Sequence, residues 1–137
     1  MKVRTTYLAM ALMLAVLTCS HAVGTQPNYT PRDLVFTVYA DGFVVVDYTV
    51  EVDPSRPRVN VTLFGSLYQD LTVEDQDGLP LDYRSTFDGL TVDTLGSASI
   101  LISYATPDLT NKSAHIWTVS FSAPILSSIM LPANATV

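Results

Sequence analysis

The side chains that most often perform chemistry in proteins are scarce in this sequence. Its 137 residues include one cysteine, Cys19, and two histidines, His21 and His115. Thiolate metal sites and disulfide frameworks need more cysteines than this. Acyl transfer needs a nucleophile and a base; His115 lies beside Ser113, but the sequence has no Gly-x-Ser-x-Gly turn. We therefore expect no catalytic residues, and we interpret His115 as an exposed residue at the start of a strand.

One acidic segment has the composition of a calcium site but not its spacing. In Glu74-Asp75-Gln76-Asp77-Gly78, the glycine would place Val73 at the first ligand position of an EF-hand loop and Arg84 at the twelfth. A looser cation site formed by the three acids of this segment is an alternative to a solvated hairpin tip. No spacing among the thirteen acids selects a pair for glycoside hydrolysis. We predict no metal site and no cofactor.

The charge balance argues against a nucleic-acid partner. Seven basic and thirteen acidic residues give a formal charge of −6, and no basic block occurs anywhere. Binding to a phosphate backbone requires clustered positive charge.

Residues 1–22 have the pattern of a signal peptide. Lys2 and Arg4 precede an apolar run from Tyr7 to Leu17, and Ser20 and Ala22 occupy the small-residue positions of a cleavage site. The run is shorter than the roughly 20 residues that cross a bilayer. We predict cleavage after Ala22, which places the mature chain in the extracellular space or on the cell surface.

Two alternatives to a cleaved leader remain. An uncleaved leader would anchor the chain in the membrane by its N-terminus, because the apolar character extends to Val23 with modest polar interruption. The segment Val16-Leu17-Thr18-Cys19 also resembles a lipoprotein signal, although such signals carry small residues before the cysteine. Cleavage would leave five of the seven basic residues and all thirteen acids, a formal charge of −8, and no cysteine.

Every asparagine in the sequence begins a glycosylation sequon. A serine or threonine stands two positions after each of Asn28, Asn60, Asn111 and Asn134. The alternative explanation is that threonine is abundant because strands favour it. Complete sequon usage favours a secreted and glycosylated surface protein.

The rest of the sequence predicts one all-β domain over residues 33–137, after a linker at 23–32. Short runs of Val, Ile, Thr, Tyr and Phe alternate with period two and are separated by Gly, Pro and Asp. We predict an antiparallel, Ig-like β-sandwich, with a small closed barrel as the alternative. The predicted strands are 33–39, 43–53, 58–64, 71–75, 79–87, 90–95, 98–106, 115–122 and 125–131.

The alternation assigns side chains to opposite faces of these strands. Trp117 is predicted to anchor the core, and a ligand-contacting role for it is the alternative. The predicted buried residues are Leu34, Phe36, Val38, Val46, Tyr48, Val61 and Trp117, and the predicted exposed residues are Asp47, Glu51 and Asn60.

Three Asp-Gly turns are predicted to set the strand registers. Matching the faces favours three-residue loops at Asp41-Gly42 and Asp77-Gly78 and a two-residue loop at Asp88-Gly89. The first turn would align Phe36 with Val46 and Val38 with Val44. The second would align Val73 with Leu81 and Leu71 with Tyr83. The third would align Phe87 with Leu90 and Arg84 with Asp93.

The end of the sequence predicts an open sheet edge. After the strand at 125–131, Pro132 cannot donate to a ladder, and residues 133–137 have an extended composition. We expect either a domain that is truncated at its C-terminus or one that is completed by a strand from a partner. Both invite self-association through the edge.

Residues 92–118 resemble a pattern in uncharacterised exported proteins of archaea. The resemblance lies in Val92-Asp93-Thr94-Leu95-Gly96, in the segment from Ile102 to Lys112, and in Trp117-Thr118. It covers about residues 33–136, and it implies a β-rich envelope protein, often with a further β-domain and a C-terminal membrane anchor. The sequence stops at Val137, before such elements. The resemblance carries over no catalytic residues.

These observations together predict a secreted, non-enzymatic module of the cell envelope or surface. Its expected partner is another envelope protein or a surface glycan, and membrane contact is expected only if the leader is uncleaved. Two alternatives stay open. One is a filament subunit that assembles by strand addition, and the other is an extracytoplasmic sugar-binding or hydrolytic domain.

Overall fold

The computed structural model describes residues 27–133 and Ala135, and these residues form an all-β structure. Among them, no helix is long and apolar enough to cross a membrane. The strands are β1 (Tyr29–Val38), β2 (Val44–Val52), β3 (Arg58–Thr62), β4 (Gln69–Asp75), β5 (Tyr83–Ser85), β6 (Gly89–Asp93), β7 (Ser99–Thr106), β8 (Thr110–Ser113), β9 (Ile116–Val119) and β10 (Ser128–Met130).

The strands form two facing sheets and a separate hairpin. The large sheet has the order β10-β1-β2-β7-β4, the small sheet has the order β3-β6-β5, and β8 pairs with β9 alone. The sheets do not close into a barrel, which confirms the predicted β-sandwich over the barrel alternative. Pairing is antiparallel throughout these sheets except between β1 and β10, which run parallel.

The core lies between the inner faces of the two sheets, and it follows the predicted alternation. In β2, every second residue from Val44 to Val52 is buried, while the residues between them are half-buried on the outer face. Six of the seven residues predicted to be buried are buried, the exception being Trp117. Asn60 is exposed as predicted.

Two acids predicted to be exposed are only partly exposed, because each has a partner on the outer face of the large sheet. Asp47 accepts a hydrogen bond from the Ser103 hydroxyl at 2.6 Å. Glu51 pairs with Arg32 at 2.7 Å. The prediction that both side chains lie on the outer face is therefore confirmed. Neighbouring side chains reduce their exposure.

The first Asp-Gly turn has the predicted register. Leu34, Phe36 and Val38 lie opposite Tyr48, Val46 and Val44. The Gly42 N–H donates to the Tyr39 carbonyl at 3.0 Å, which closes the three-residue loop. Gly42 has a φ of +92°, a left-handed conformation that glycine adopts without a Cβ clash.

The second turn also has the predicted loop, but the strand after it changes sheets. The Leu81 N–H donates to the Val73 carbonyl at 2.9 Å, as the predicted register requires. Two residues later, Tyr83 pairs with Val92 of the small sheet instead of with Leu71. The chain therefore crosses from the large sheet to the small sheet between Leu81 and Tyr83, and the predicted strand 79–87 is shortened to β5.

The third turn has the predicted length, but its register is wrong. The Thr86 N–H donates to the Gly89 carbonyl at 2.8 Å, so the two-residue loop is Phe87-Asp88 and not Asp88-Gly89. Leu90 consequently lies opposite Ser85. Phe87 stands fully exposed at the tip of the loop.

Close contact with β3 accounts for this shift. A Cβ on Gly89 would lie 2.0 Å from the Val61 carbonyl oxygen, so this glycine is needed inside the sheet rather than in the turn. The predicted pair of Arg84 with Asp93 is also wrong. Arg84 lies opposite Thr91, and Asp93 forms a cross-strand ion pair with Arg58 at 2.5 Å.

The start of β1 corrects the predicted linker at 23–32, because strand pairing already begins at Tyr29. The register with β2 shifts by one residue between Pro31 and Asp33, which leaves Arg32 as a bulge. β1 pairs with β10 only at residues 35–37. On that side of β1, Pro31 therefore has no neighbouring strand among the described residues, and its missing N–H costs no hydrogen bond of the ladder. Residues 23–26 lie outside the described part of the chain.

Two side chains hold the loop between β3 and β4 against the end of β7. The Tyr104 hydroxyl accepts from the Phe64 N–H at 2.8 Å and donates to the Phe64 carbonyl at 3.0 Å. Burial raises the pKa of Tyr104, so the phenol stays protonated. An Asp108 carboxylate oxygen accepts from the Ser66 hydroxyl, the Ser66 N–H and the Leu67 N–H, each at 2.8 Å, and these bonds lower the pKa of Asp108.

Residues 107–131 depart most from the predicted strands. The predicted strand 115–122 is shorter, and its first part pairs with β8, which was not predicted. Phe121 lies beyond this hairpin and stacks on Phe36 with ring centroids 4.0 Å apart. The predicted strand 125–131 is reduced to β10.

Candidate interaction site

The last part of the chain is uncharged and carries much of the exposed apolar surface. Residues 116–137 contain no Asp, Glu, Lys, Arg or His. The large apolar side chains of this region that are exposed are Ile116, Trp117, Leu126, Ile129, Met130 and Leu131. Ile129, Met130 and Leu131 are consecutive in and directly after β10, and contiguous exposed apolar side chains are typical of interaction surfaces.

The β8–β9 hairpin rests on the turn between β1 and β2. The Thr110 hydroxyl donates to the Gly42 carbonyl, and the Trp117 ring covers the Cα of Gly42 so closely that a Cβ there would be 2.4 Å from the ring. The Lys112 amine lies 5.0 Å from the centroid of the Trp117 ring, within the range of a cation–π interaction.

The prediction that Trp117 anchors the core is therefore wrong. Its side chain is 38% exposed and packs on the outside of a turn. The reason is that β9 pairs only with β8, so the alternation within β9 does not point into the space between the two sheets. Trp117 as a ligand contact stays a prediction, since one part of its ring is accessible to solvent.

β10 forms one edge of the large sheet. Val35, Phe36 and Thr37 of β1 pair with Ser128, Ile129 and Met130. All three β10 residues are exposed, and β1 is the strand that the described residues place beside it. Within residues 27–133, no strand occupies the backbone groups on the other side of β10, so a further strand could pair there.

The opposite edge of the same sheet is β4, and it is covered. The Asp75 N–H donates to the Leu79 carbonyl, and Glu74 forms a bridge with Pro80, so residues 79–81 pair along the outer side of β4. The start of β4 is irregular, because Asp70 has a φ of +52° and the register with β7 shifts there. Coverage, proline and bulges are devices that prevent edge pairing.

Three of the predicted glycosylation sites lie on the surface. Asn28 precedes β1, Asn60 is in β3, and Asn111 is in β8, and all three side chains are exposed. The Asn60 amide oxygen accepts from the Thr91 hydroxyl at 2.7 Å. Asn134 and the predicted cleavage residue Ala22 lie outside the described residues. Glycosylation itself stays a prediction.

The carboxylates of a groove between the start of β1 and the end of β2 are already engaged. This groove of about 540 Å³ is lined in part by Glu51, Asp53 and Arg56. Glu51 pairs with Arg32, while Asp53 accepts from the Ser55 hydroxyl at 2.7 Å. That hydrogen bond is the main cause of the lowered pKa of Asp53. A carboxylate with a low pKa is a poor general acid at neutral pH.

The acidic segment at 74–78 is a hairpin tip. The Asp75 carboxylate accepts from the Asp77 N–H at 2.8 Å and from the Leu79 N–H at 2.9 Å, which stabilises the turn. Glu74 lies in β4 and forms an isolated β-bridge with Pro80. Within residues 27–133 and Ala135, no three His, Cys, Asp or Glu side chains lie close enough together to hold a metal ion. His115 is exposed at the tip of the β8–β9 hairpin.

An aromatic cleft of about 340 Å³ opens beside the start of β1. Tyr29 and Tyr48 meet edge to face at 6.4 Å, and Phe64 lies 5.6 Å from Tyr48. Burial, followed by the neighbouring Tyr29, raises the pKa of Tyr48. The cleft offers ring faces and hydroxyl groups, and none of its lining residues is a carboxylate or an imidazole.

The sequence predicted an open sheet edge near the C-terminus, but two features were not predicted, namely the uncharged segment after His115 and the cover on β4. The absence of charge after His115 is visible in the sequence and could have indicated the interaction surface. The cover on β4 could not have been read from a local pattern, because it depends on residues 79–81 continuing along the outer side of that strand.

No protein-family model matches the chain, and neither the curated proteins nor the solved structures contain a significant match.

Proposed function

We propose that this chain is an exported, glycosylated module of the cell surface or cell envelope, and that it acts by binding or structural support rather than by catalysis. The observation that carries the proposal is the position of the sequons. Asn28, Asn60 and Asn111 are all exposed on the described fold, as are the serine and threonine residues two positions after them. Glycosylation requires an accessible asparagine, and all three of these sequons are accessible on the described fold.

The surface chemistry supports association over catalysis. The titratable groups that line the groove beside Glu51 and Asp53 are held in ion pairs and turns, whereas the uncharged segment after His115 exposes apolar side chains. The resemblance of residues 92–118 to archaeal exported proteins agrees with a cell-envelope location. A partner of such a module is another envelope protein or a surface glycan.

Intact-mass and N-terminal analysis of the native protein tests this proposal. We expect a chain that begins near Val23 and carries sugar on at least one of Asn60 and Asn111. Thr62→Ala should remove the sugar at Asn60, and the matched control Thr62→Ser should keep it, because serine also completes a sequon. An unmodified chain that begins at Met1 in the soluble cytoplasmic fraction would contradict the proposal.

A further inference from the structure

We infer that the free edge of β10 pairs with β10 of a second copy of this chain. The two strands run antiparallel about a two-fold axis and join the two large sheets into one continuous sheet. The inference rests on the proposed function, a module that acts by association, and it names the partner as a second copy.

The two edges of the large sheet differ in how they are covered. The β4 edge is covered by residues 79–81 and carries Pro80 on its outer side. The β10 edge has exposed Ile129 and Met130, and β1 alone pairs with it among the described residues. An uncovered strand without charge, proline or bulge is the kind of edge that accepts another strand.

The same difference selects a symmetric pair over a filament. A filament of large sheets would pair the β10 edge of one copy with the β4 edge of the next, which is a heterologous contact. Residues 79–81 already occupy the hydrogen-bonding groups of that acceptor edge near Glu74. Pairing of β10 with β10 uses the free edge twice and closes after two copies.

The charge distribution favours this edge as the meeting point of two copies. The chain has a formal charge of −6, so most approaches of one copy to another are opposed by like charge. Residues 116–137 carry no charge. Two copies can therefore approach through β10 without bringing acidic side chains together.

The geometry of the pair follows from β10 itself. A two-fold axis beside Ile129 places Ser128 of one copy opposite Met130 of the other, on the same face of the joined sheet. Both residues lie on the outer face, because their β1 partners Val35 and Thr37 do. The segment is shorter than the stretch that buries the roughly 800 Å² per partner of a standard interface, so we expect a weak, concentration-dependent dimer.

Sedimentation equilibrium of the product of the full-length gene tests the inference. We expect a monomer–dimer equilibrium with a dissociation constant between about 10 µM and 1 mM, because the interface is smaller than the standard size. Hydrogen exchange at residues 128–130 should slow as the protein concentration rises. Met130→Lys and Met130→Glu should each weaken dimerisation by up to about fivefold, because the two like charges then lie diagonally across the axis, about 7–8 Å apart on the same face of the joined sheet. A mixture of the two variants should dimerise again.

Leu101→Lys is the matched control. Leu101 is a partly exposed apolar residue on the outer face of the same sheet, but it lies in the central strand β7. The substitution should leave the dimer intact, whereas loss of the dimer there would show that the sheets stack face to face and would overturn the inference.

Three other results would also overturn the inference. They are a monomer at every concentration, association that neither Met130 variant affects, and a mixture of the two variants that stays monomeric. A chain that is exported and glycosylated but monomeric would contradict only this inference. A cytoplasmic, unmodified chain that still dimerises through β10 would contradict only the proposed function.

Discussion

Residues 29–106 and residues 107–131 use similar side chains but different structural principles. In the first region, inward residues such as Phe36 and Ile102 are fully buried between two sheets. In the second, Leu109 is the one large apolar residue among the buried core, and Trp117, Leu126 and Met130 are exposed. The comparison teaches that alternation fixes the face of a side chain, whereas burial depends on what the strand packs against.

The intervening segment shows the same lesson within a few residues. Val119, Phe121, Ala123 and Ile125 are half-buried and pack against the core, and the residues between them are more exposed. The period of two therefore continues along the chain after β9 ends. These side chains pack against the core that the two sheets form, and Phe121 reaches the buried ring of Phe36.

The largest effect is expected where the first region is most tightly packed. Phe36→Ala should lower the free energy of unfolding by about 3–5 kcal/mol, because it removes a buried ring that contacts Phe64 and Phe121. Urea unfolding measures the change. The control is Phe87→Ala, at a fully exposed ring, which should cost less than about 0.5 kcal/mol. A cost below about 1 kcal/mol for Phe36→Ala would mean that the core lies elsewhere.

A smaller effect is expected at the glycine that shifts the third turn. Gly89→Ala should cost up to about 3 kcal/mol, because the new Cβ would press on the backbone of Val61. Gly78→Ala is the control. Gly78 has open space around it and a φ of +76°, so alanine there should cost only about 1 kcal/mol of backbone strain. Equal costs at both glycines would show that close contact with β3 does not set the register.

In the second region, Trp117→Ala should have a local effect. We expect a loss of about 1–2 kcal/mol, since the ring is partly exposed and covers a turn rather than filling the core. Hydrogen exchange should become faster in β8 and β9 and should stay unchanged in β2. A loss as large as that of Phe36→Ala would restore the role of core anchor that the sequence predicted for Trp117.

The smallest effect concerns acid stability at the boundary between the two regions. The lowered pKa of Asp108 means that its carboxylate stabilises the fold above the unfolded pKa of about 3.9. This contribution is lost as the pH falls through the folded pKa. Asp108→Asn should therefore reduce the dependence of unfolding free energy on pH below about 4. The control is Asp82→Asn, at an exposed carboxyl before β5. In this control, the unfolding free energy should depend more steeply on pH below about 4 than it does in Asp108→Asn.

The sequence by itself determined the fold class, most of the core and two of the three turns. The period of two in residues 44–52 and the left-handed conformation that Gly42 adopts without a clash act within a few residues of the chain, so they can be read locally. The resulting register of Phe36 with Val46 needs no knowledge of the other sheet.

Only the tertiary structure decided which strands become neighbours. Backbone N–H and C=O groups are the same in every residue, so the sequence of β10 does not encode that it pairs in parallel with β1. The same holds for the crossing of the chain between Leu81 and Tyr83 and for the β8–β9 hairpin that keeps Trp117 outside. These choices depend on contacts between distant segments, and they also decided that residues 79–81 cover β4 while β1 is the one described strand beside β10.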